Sequence, residues 1–310
     1  MREAMALLAE RIRKNNKFLS AKAGELRDTN PGLVREVASV PLDLSVSGVD
    51  GGAFFHRVHG ADVAAIRAVG VSFFYRNSKL GSFSHYPSRK PEPALQYREG
   101  LDEHEASVFR SLARLRQELL CSREMIEKFS PDVLLFDGSL LPLPSDKPPE
   151  GSGLCSLYQE VVSLYDSVFS ACRDTLLCGV IKDSRARKLG AEFSLDCSDT
   201  MLCEHLLKAG ERTAEFPCSC SGPGSRVNTF YLRPSEQDLP LRVETISSVE
   251  KAAEAVLSLS SISSRFAYPA VLTEADMCAA FDRQDIAIFQ KDLFSLAGFS
   301  SLRRSSRPFR

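Results

Sequence analysis

Four consecutive apolar side chains, Val133-Leu134-Leu135-Phe136, stand between Pro131 and the polar turn Asp137-Gly138-Ser139. A run this short and apolar on both faces fits a strand covered from both sides. A second such run, Thr175–Ile181, stops at Lys182-Asp183, and a helical pattern at Leu154–Cys172 lies between the two. Two doubly covered strands joined through a helix demand helices above and below one sheet, so the chain is expected to be α/β.

Other segments fill in that plan. Met1–Leu26 reads as a helix with Leu7, Leu8, Ile12 and Leu19 on one face, and Asp28–Pro41 as a turn-rich link. Leu44–Val49 alternates as a strand does and is expected to end in a sharp turn at Asp50-Gly51-Gly52. Strands follow at Ala53–Val58 and Ala61–Tyr75, then a polar, extended excursion over Asn77–Arg98. Leu101–Phe129 carries apolar residues at helical spacing. Asp199–Ala209, Val249–Phe266 and Thr273–Ala297 also read as helices, with a strand pair at Thr229–Arg233 and Leu241–Ile246 and a loop at Phe216–Ser225. The expected division is an N-terminal helical extension (1–41), one α/β domain (42–299) and a basic tail (300–310).

Lys and Arg number 39 against 40 Asp and Glu, for a net charge of −1. That excludes a bulk polycation, so any hold on nucleic acid must come from local basic patches. Such patches exist. Met1–Arg27 and Arg283–Arg310 are each net +4, leaving the body near −9. Arg11, Arg13, Lys14 and Lys17 lie in the first patch, and Arg303, Arg304, Arg307 and Arg310 in the second. No apolar stretch reaches membrane-spanning length and no secretory signal is read, so a cytoplasmic protein with no membrane contact is expected. The nine cysteines sit mostly in apolar runs, as reduced thiols do. Cys218-Ser219-Cys220 is the single close pair, and no second pair completes a zinc site.

Three carboxylates share a placement. Asp50 is expected at the end of one strand and Asp137 at the end of another, with Glu118 in the helix leading to Asp137. Carboxylates gathered at one sheet edge repel unless protonated or occupied by a cation, and a hard divalent ion is the natural occupant. Such a site suits in-line displacement at phosphorus. Taken singly, each residue is more commonly a turn residue or a solvated helix face. His56 and His59 are three apart, which on a strand points them to opposite faces and argues against a shared metal.

Val49-Asp50-Gly51-Gly52, Leu134-Leu135-Phe136-Asp137-Gly138-Ser139-Leu140 and Val180-Ile181-Lys182-Asp183-Ser184 together resemble the NurA nuclease family. Gly210-Glu211-Arg212-Thr213-Ala214-Glu215-Phe216, Phe230-Tyr231-Leu232-Arg233 with Arg242-Val243-Glu244, and Tyr268-Pro269 with Leu272 continue the resemblance in the family's order, over roughly Leu44 to Phe281. The resemblance implies an RNase H-like mixed sheet flanked by helices, here with an N-terminal helix and helical C-terminal additions. It also implies a Mn²⁺- or Mg²⁺-dependent DNA nuclease, with 5′-to-3′ exonuclease and single-strand endonuclease activity, in end resection for double-strand-break repair. A HerA-type hexameric ATPase is the implied partner and a homodimer the implied state.

Carried across, Asp50, Glu118 and Asp137 would hold metal, Glu105 and Glu124 being the other helical candidates. Lys182 would neutralise developing charge. The family's "A-H" pair is Ala275-Asp276 here, so Asp276 either completes the metal shell or marks decay to a DNA-binding scaffold of the ATPase complex. Gly52 replaces the family's serine. Tyr268 is expected either to stack on a base or hydrogen-bond near the metal, or else to be a core tyrosine. Arg212 and Arg233 are expected to contact phosphate or pair with internal carboxylates.

Overall fold

The computed structural model describes residues 2–58, 61–217, 227–260 and 263–296. Helix α1 (Arg2–Thr29) leads into strands β1 (Val34–Glu36), β2 (Ser45–Val58), β3 (Ala61–Arg76), β4 (Lys79–Tyr86) and β5 (Ala94–Glu99). There follow α2 (Glu103–Phe129), β6 (Val133–Asp137), α3 (Cys155–Ala171), β7 (Leu176–Ile181), α4 (Lys188–Glu192) and α5 (Asp199–Leu206). The chain closes with β8 (Glu211–Thr213), β9 (Phe216–Pro217), β10 (Asn228–Arg233), β11 (Leu241–Thr245), α6 (Val249–Leu259), α7 (Ala270–Ala279) and α8 (Arg283–Leu296).

The strands form one sheet in the order β1-β8-β10-β11-β7-β6-β2-β3-β4, with β5 added to β3 and β9 to β10. Strands β2, β6 and β7 run parallel, and every other pairing is antiparallel. The five strands β4-β3-β2-β6-β7 begin as antiparallel hairpins and continue through helical crossovers, the RNase H-like arrangement. Two apolar layers cover the sheet. One packs α2 and α3 against Val49, Ile66, Leu134, Phe136 and Leu177. The other packs α6 and α7 against Val46, Val69, Leu135, Val180 and Val243. Successive residues of β6 thus face opposite layers, which is why its run is wholly apolar.

Several expectations need correction. Strand β2 does not turn at Asp50-Gly51-Gly52. It runs unbroken through them, paired with β3 from Ser45↔Phe74 to Val58↔Ala61. The glycines are there for close packing: a Cβ on Gly51 would lie 2.5 Å from Glu118 Oε1, and one on Gly52 would lie 2.0 Å from the carbonyl oxygen of Ala279. The excursion over Asn77–Arg98 contains β4 and β5, short edge strands that are largely exposed even at Leu80, Phe83, Leu95 and Tyr97. Strand β1 lies in the segment read as a link. The last helix is two helices: α8 restarts at Arg283, where Asp282 and Asp285 exchange side chain-to-backbone hydrogen bonds as a reciprocal cap.

Of α1, only Leu19 and Ala23 are buried. They pack in a small cluster with Leu202, Leu206 and Tyr231. Leu7, Leu8 and Ile12, expected on a packed face, are exposed. His59, the Cys218/Cys220 pair and the basic tail lie outside the described residues. Among the described residues, no helix is long and apolar enough to cross a membrane.

Candidate active site

The parallel register Val49↔Phe136 makes Asp50 and Asp137 the next residues on neighbouring strands, at the point where β6 ends. Beyond Asp137 the chain turns back through Gly138, whose φ of +140° is one that a side chain would strain. Its N–H donates to the carbonyls of Phe136 and Val180. The turn folds directly over Gly179, where a Cβ would sit 2.6 Å from the carbonyl oxygen of Gly138.

Two helices deliver the remaining acids from opposite faces. Along β2, side chains alternate, so Gly48, Asp50 and Gly52 share the α7 face and Gly51 faces α2. Val271 and Leu272 of α7 press on Gly48, and Ala279 presses on Gly52. Four strand residues span about 13 Å and the eight helical residues from Val271 to Ala279 about 12 Å, so α7 lies along β2 with its midpoint beside Asp50. Asp276 is on that stretch, exposed, and its charge helps raise the Asp50 pKa. From the other face, Glu118 reaches the strand through the space that Gly51 leaves.

Burial dominates the electrostatics. The Asp50 carboxyl, 7% exposed, is pushed up to about 8, first by burial and then by the charges of Asp137 and Glu118, against a hydrogen bond from the Gly51 N–H. Glu118 is 1% exposed and is pushed up to about 7 by burial and Asp137, although Arg114 opposes the rise. Arg114 donates to Glu118 Oε1 at 2.9 Å, while Oε2 is buried with no hydrogen-bond partner. Lys182 Nζ lies 3.1 Å from Asp137 Oδ2 and 4.1 Å from the centre of the Tyr268 ring.

An orphaned, buried carboxylate oxygen beside two further acids has the chemistry of a hard-cation site: oxygen donors only, with excess negative charge. These residues therefore fit a divalent ion. Arg114 and Lys182 hold Glu118 and Asp137 in ion pairs, and the acids are not drawn together to within 4.8 Å as any set of three.

The other expected residues fall elsewhere. Glu105 belongs to the capping box at the start of α2, and Glu124 is exposed away from the cluster. Tyr268 is 3% exposed and donates to the Val180 carbonyl, so its ring supports Lys182 from within the core and offers no face to a base. Arg212 is buried among Thr213, Glu215 and Glu250. Arg233 is bound to the carbonyls of Glu204, Leu207 and Glu236. Both are structural ties at the far side of the sheet rather than phosphate contacts.

Sequence reasoning overlooked Arg114, Glu244 and the cleft beside them. Arg114 carries a signal, four residues before Glu118 on one helix. The fully buried Glu244 accepts from Ser139 Oγ and the Leu140 N–H, each at 2.8 Å, and from Arg242. It thereby locks the turn after Asp137. Beside that turn opens a cleft of about 720 Å³ whose walls include Asp137, Ser139, Arg114, Arg185 and Arg242. Asp146 and Asp183 line it too, and Arg114 and Arg242 are paired with Glu118 and Glu244, so the cleft carries both signs of charge, with the exposed Arg185 at its wall.

Comparison with known proteins shows what the chain and its fold are similar to. The NurA domain family model matches residues 44–281. The fold is similar to that of the NurA nuclease from Sulfolobus solfataricus, with 18% identity over 100% of both chains and a TM-score of 0.65. It is also similar to a NurA with manganese (11% identity, 96% of this chain and 98% of that one, TM-score 0.63). A NurA bound to dAMP and manganese gives 10% identity, 95% and 98% coverage, and a TM-score of 0.55. No curated protein matches by sequence.

Proposed function

The chain belongs to the NurA family, and from that premise we propose that it is a metal-dependent nuclease that hydrolyses DNA phosphodiesters at the Asp50–Glu118–Asp137 cluster. The observation that carries the reading is the buried, unpartnered Glu118 Oε2, on a side chain packed against β2 next to Asp50, whose own carboxyl is raised by burial and by neighbouring acids. Asp50, Glu118 and Asp137 would hold the ion, with Asp276 at the solvent side. Solved relatives contain manganese, and the oxygen-only donor set accepts Mn²⁺ or Mg²⁺ alike.

When bound there, a divalent cation supplies Lewis-acid charge at the scissile phosphate and acidifies a water. The chain's own residues do the rest. Lys182, steadied over Tyr268, keeps positive charge beside Asp137, where the phosphate arrives. Arg185, exposed at the wall of the adjoining cleft, would hold a neighbouring phosphate of the strand, while Arg114 and Arg242 stay with Glu118 and Glu244. Glu244 keeps the Asp137 turn rigid by its bonds to Ser139 and Leu140. Asp276 offers an oxygen ligand in place of the family's histidine nitrogen, so retained metal binding is favoured over decay to a scaffold.

The family resemblance alone extends the proposal to 5′-to-3′ exonuclease and single-strand endonuclease action in end resection. On the same ground a HerA-type ATPase is the proposed partner, a homodimer the proposed assembly and the cytoplasm the proposed location. The experiment is degradation of labelled single- and double-stranded DNA in Mn²⁺, Mg²⁺ or EDTA, with Asp137→Asn alongside. Metal-dependent cleavage abolished by the substitution is the expected result. Absence of cleavage in every metal, with the ATPase present, would sink the catalytic reading.

A further inference from the structure

On the far side of α7 from β2's acid cluster, three side chains of mixed donor type converge. Glu274 and Cys278 are four residues apart on α7, hence on one helical face, and His85 comes from the neighbouring strand β4. His85 Nε2 lies 3.0 Å from Glu274 Oε1, and Cys278 Sγ lies 3.5 Å from the same oxygen. All three ligand atoms fall within 4.8 Å of one another, which no other set of three His, Cys, Asp or Glu does among the described residues.

We propose that His85, Glu274 and Cys278 form a second metal site, of zinc class, that clips β4 to α7. Tetrahedral coordination at about 2.0 Å for nitrogen and oxygen and about 2.3 Å for sulfur places neighbouring ligand atoms about 3.3–3.6 Å apart. Two of the spacings, 3.0 and 3.5 Å, are already close to that, and the third lies within 4.8 Å. The set is sheltered: Cys278 is 7% exposed, and the His85 and Glu274 side chains are 13% and 27% exposed.

One imidazole nitrogen, one thiolate and one carboxylate select a borderline ion such as Zn²⁺ or Co²⁺ over Mn²⁺ or Mg²⁺. The two sites therefore differ in the ion they take. Binding displaces the thiol proton of Cys278 to solvent, and a water completes the fourth position. Arg89 stands 3.9 Å from Glu274 and also bonds the Cys278 thiol, and the ion would replace this cation, whose side chain is 74% exposed and free to turn to water. The ion would fix the helix that carries Asp276, yet its binding does not depend on nuclease activity.

The test uses the full chain, stripped with chelator and titrated with Co²⁺ and Zn²⁺. The expected result is a thiolate-to-cobalt charge-transfer band that saturates at one equivalent, is displaced by Zn²⁺ and survives excess Mg²⁺. Cys278→Ser should abolish the band. His85→Ala should weaken Zn²⁺ binding by more than the roughly 10- to 100-fold that loss of an outer-shell partner costs. Asp137→Asn and the double Cys218→Ser, Cys220→Ser variant should leave the band intact. A wild-type chain without the band, or a band lost with Cys218 and Cys220 and kept without Cys278, would overturn the site. The wild-type spectrum decides even if a variant fails to fold.

Discussion

Replacing Asp50 with asparagine should stabilise the metal-free protein at alkaline pH. The carboxyl is 7% exposed and is raised from its ordinary 3.8 to about 8, by burial first and by Asp137 and Glu118 next. A raised acid keeps its proton in the folded state after the unfolded chain has lost it. It therefore costs nothing below pH 3.8, and its cost grows through the window up to about 8. At about 1.4 kcal/mol per pH unit, the whole window amounts to about 6 kcal/mol. The share due to Glu118 shrinks while that acid, itself raised to about 7, holds its own proton. The burial share belongs to Asp50 alone, so about 3 kcal/mol should remain.

Asparagine keeps the shape and the oxygen that accepts from the Gly51 N–H, and removes the charge. For a chain of this length, about 3 kcal/mol corresponds to a Tm higher by about 5 °C. The assay is thermal unfolding in EDTA, with Asp50→Asn and the parent compared at pH 4 and pH 8.5. The two should melt together at pH 4, and the variant should melt higher at pH 8.5 while losing nuclease activity. A variant that melts at or below the parent at pH 8.5 would refute the claim that this carboxylate is desolvated and crowded.

Gly51→Ala places a methyl group 2.5 Å from Glu118 Oε1, so it should cost about 1–3 kcal/mol in denaturant titration and cut DNA cleavage on the order of a hundredfold. Glu244→Gln leaves Arg242 without its counter-charge and loosens the Ser139 turn. It should destabilise by about 3 kcal/mol, read by chemical unfolding. Lys182→Met removes the cation beside Asp137 from a side chain one-third exposed, so it should change stability by less than about 1 kcal/mol. The same variant should lower kcat at least tenfold with little change in KM, read in steady-state cleavage.

Where the sequence was informative, one residue type served one purpose. Val133–Phe136 is apolar on both faces because helices cover both, and Asp137-Gly138 is a true turn because Gly138 alone adopts φ +140°. Asp50-Gly51-Gly52 looks the same in one dimension but arises differently. Its glycines answer a side chain and a helix end that arrive from distant positions, and nothing local distinguishes that from a turn. Strands β4 and β5 were missed because they are short and sit among the polar and Pro-rich residues of an exposed sheet edge, although Leu95 and Tyr97 alternate with Gln96 and Arg98 in β5.

The acids of the candidate site were legible through their order along the chain. Their supports were less so. Arg114 announces itself by helical spacing, but the tie from Glu244 to Ser139 spans more than a hundred residues and needs the β7–β11 register to appear. Tyr268, Arg212 and Arg233 were each open to an outward or an inward role, and burial favours the inward one; an arginine in a strand reads the same whether it meets a phosphate or a carbonyl.

The most direct measurement is anomalous diffraction from crystals of the full chain soaked in Mn²⁺, at a wavelength where manganese scatters strongly. The account predicts a peak bounded by the carboxylates of Asp50, Glu118 and Asp137, and no peak in Asp137→Asn crystals grown alike. Manganese absent from that cluster, or bound there unchanged in the variant, would contradict it.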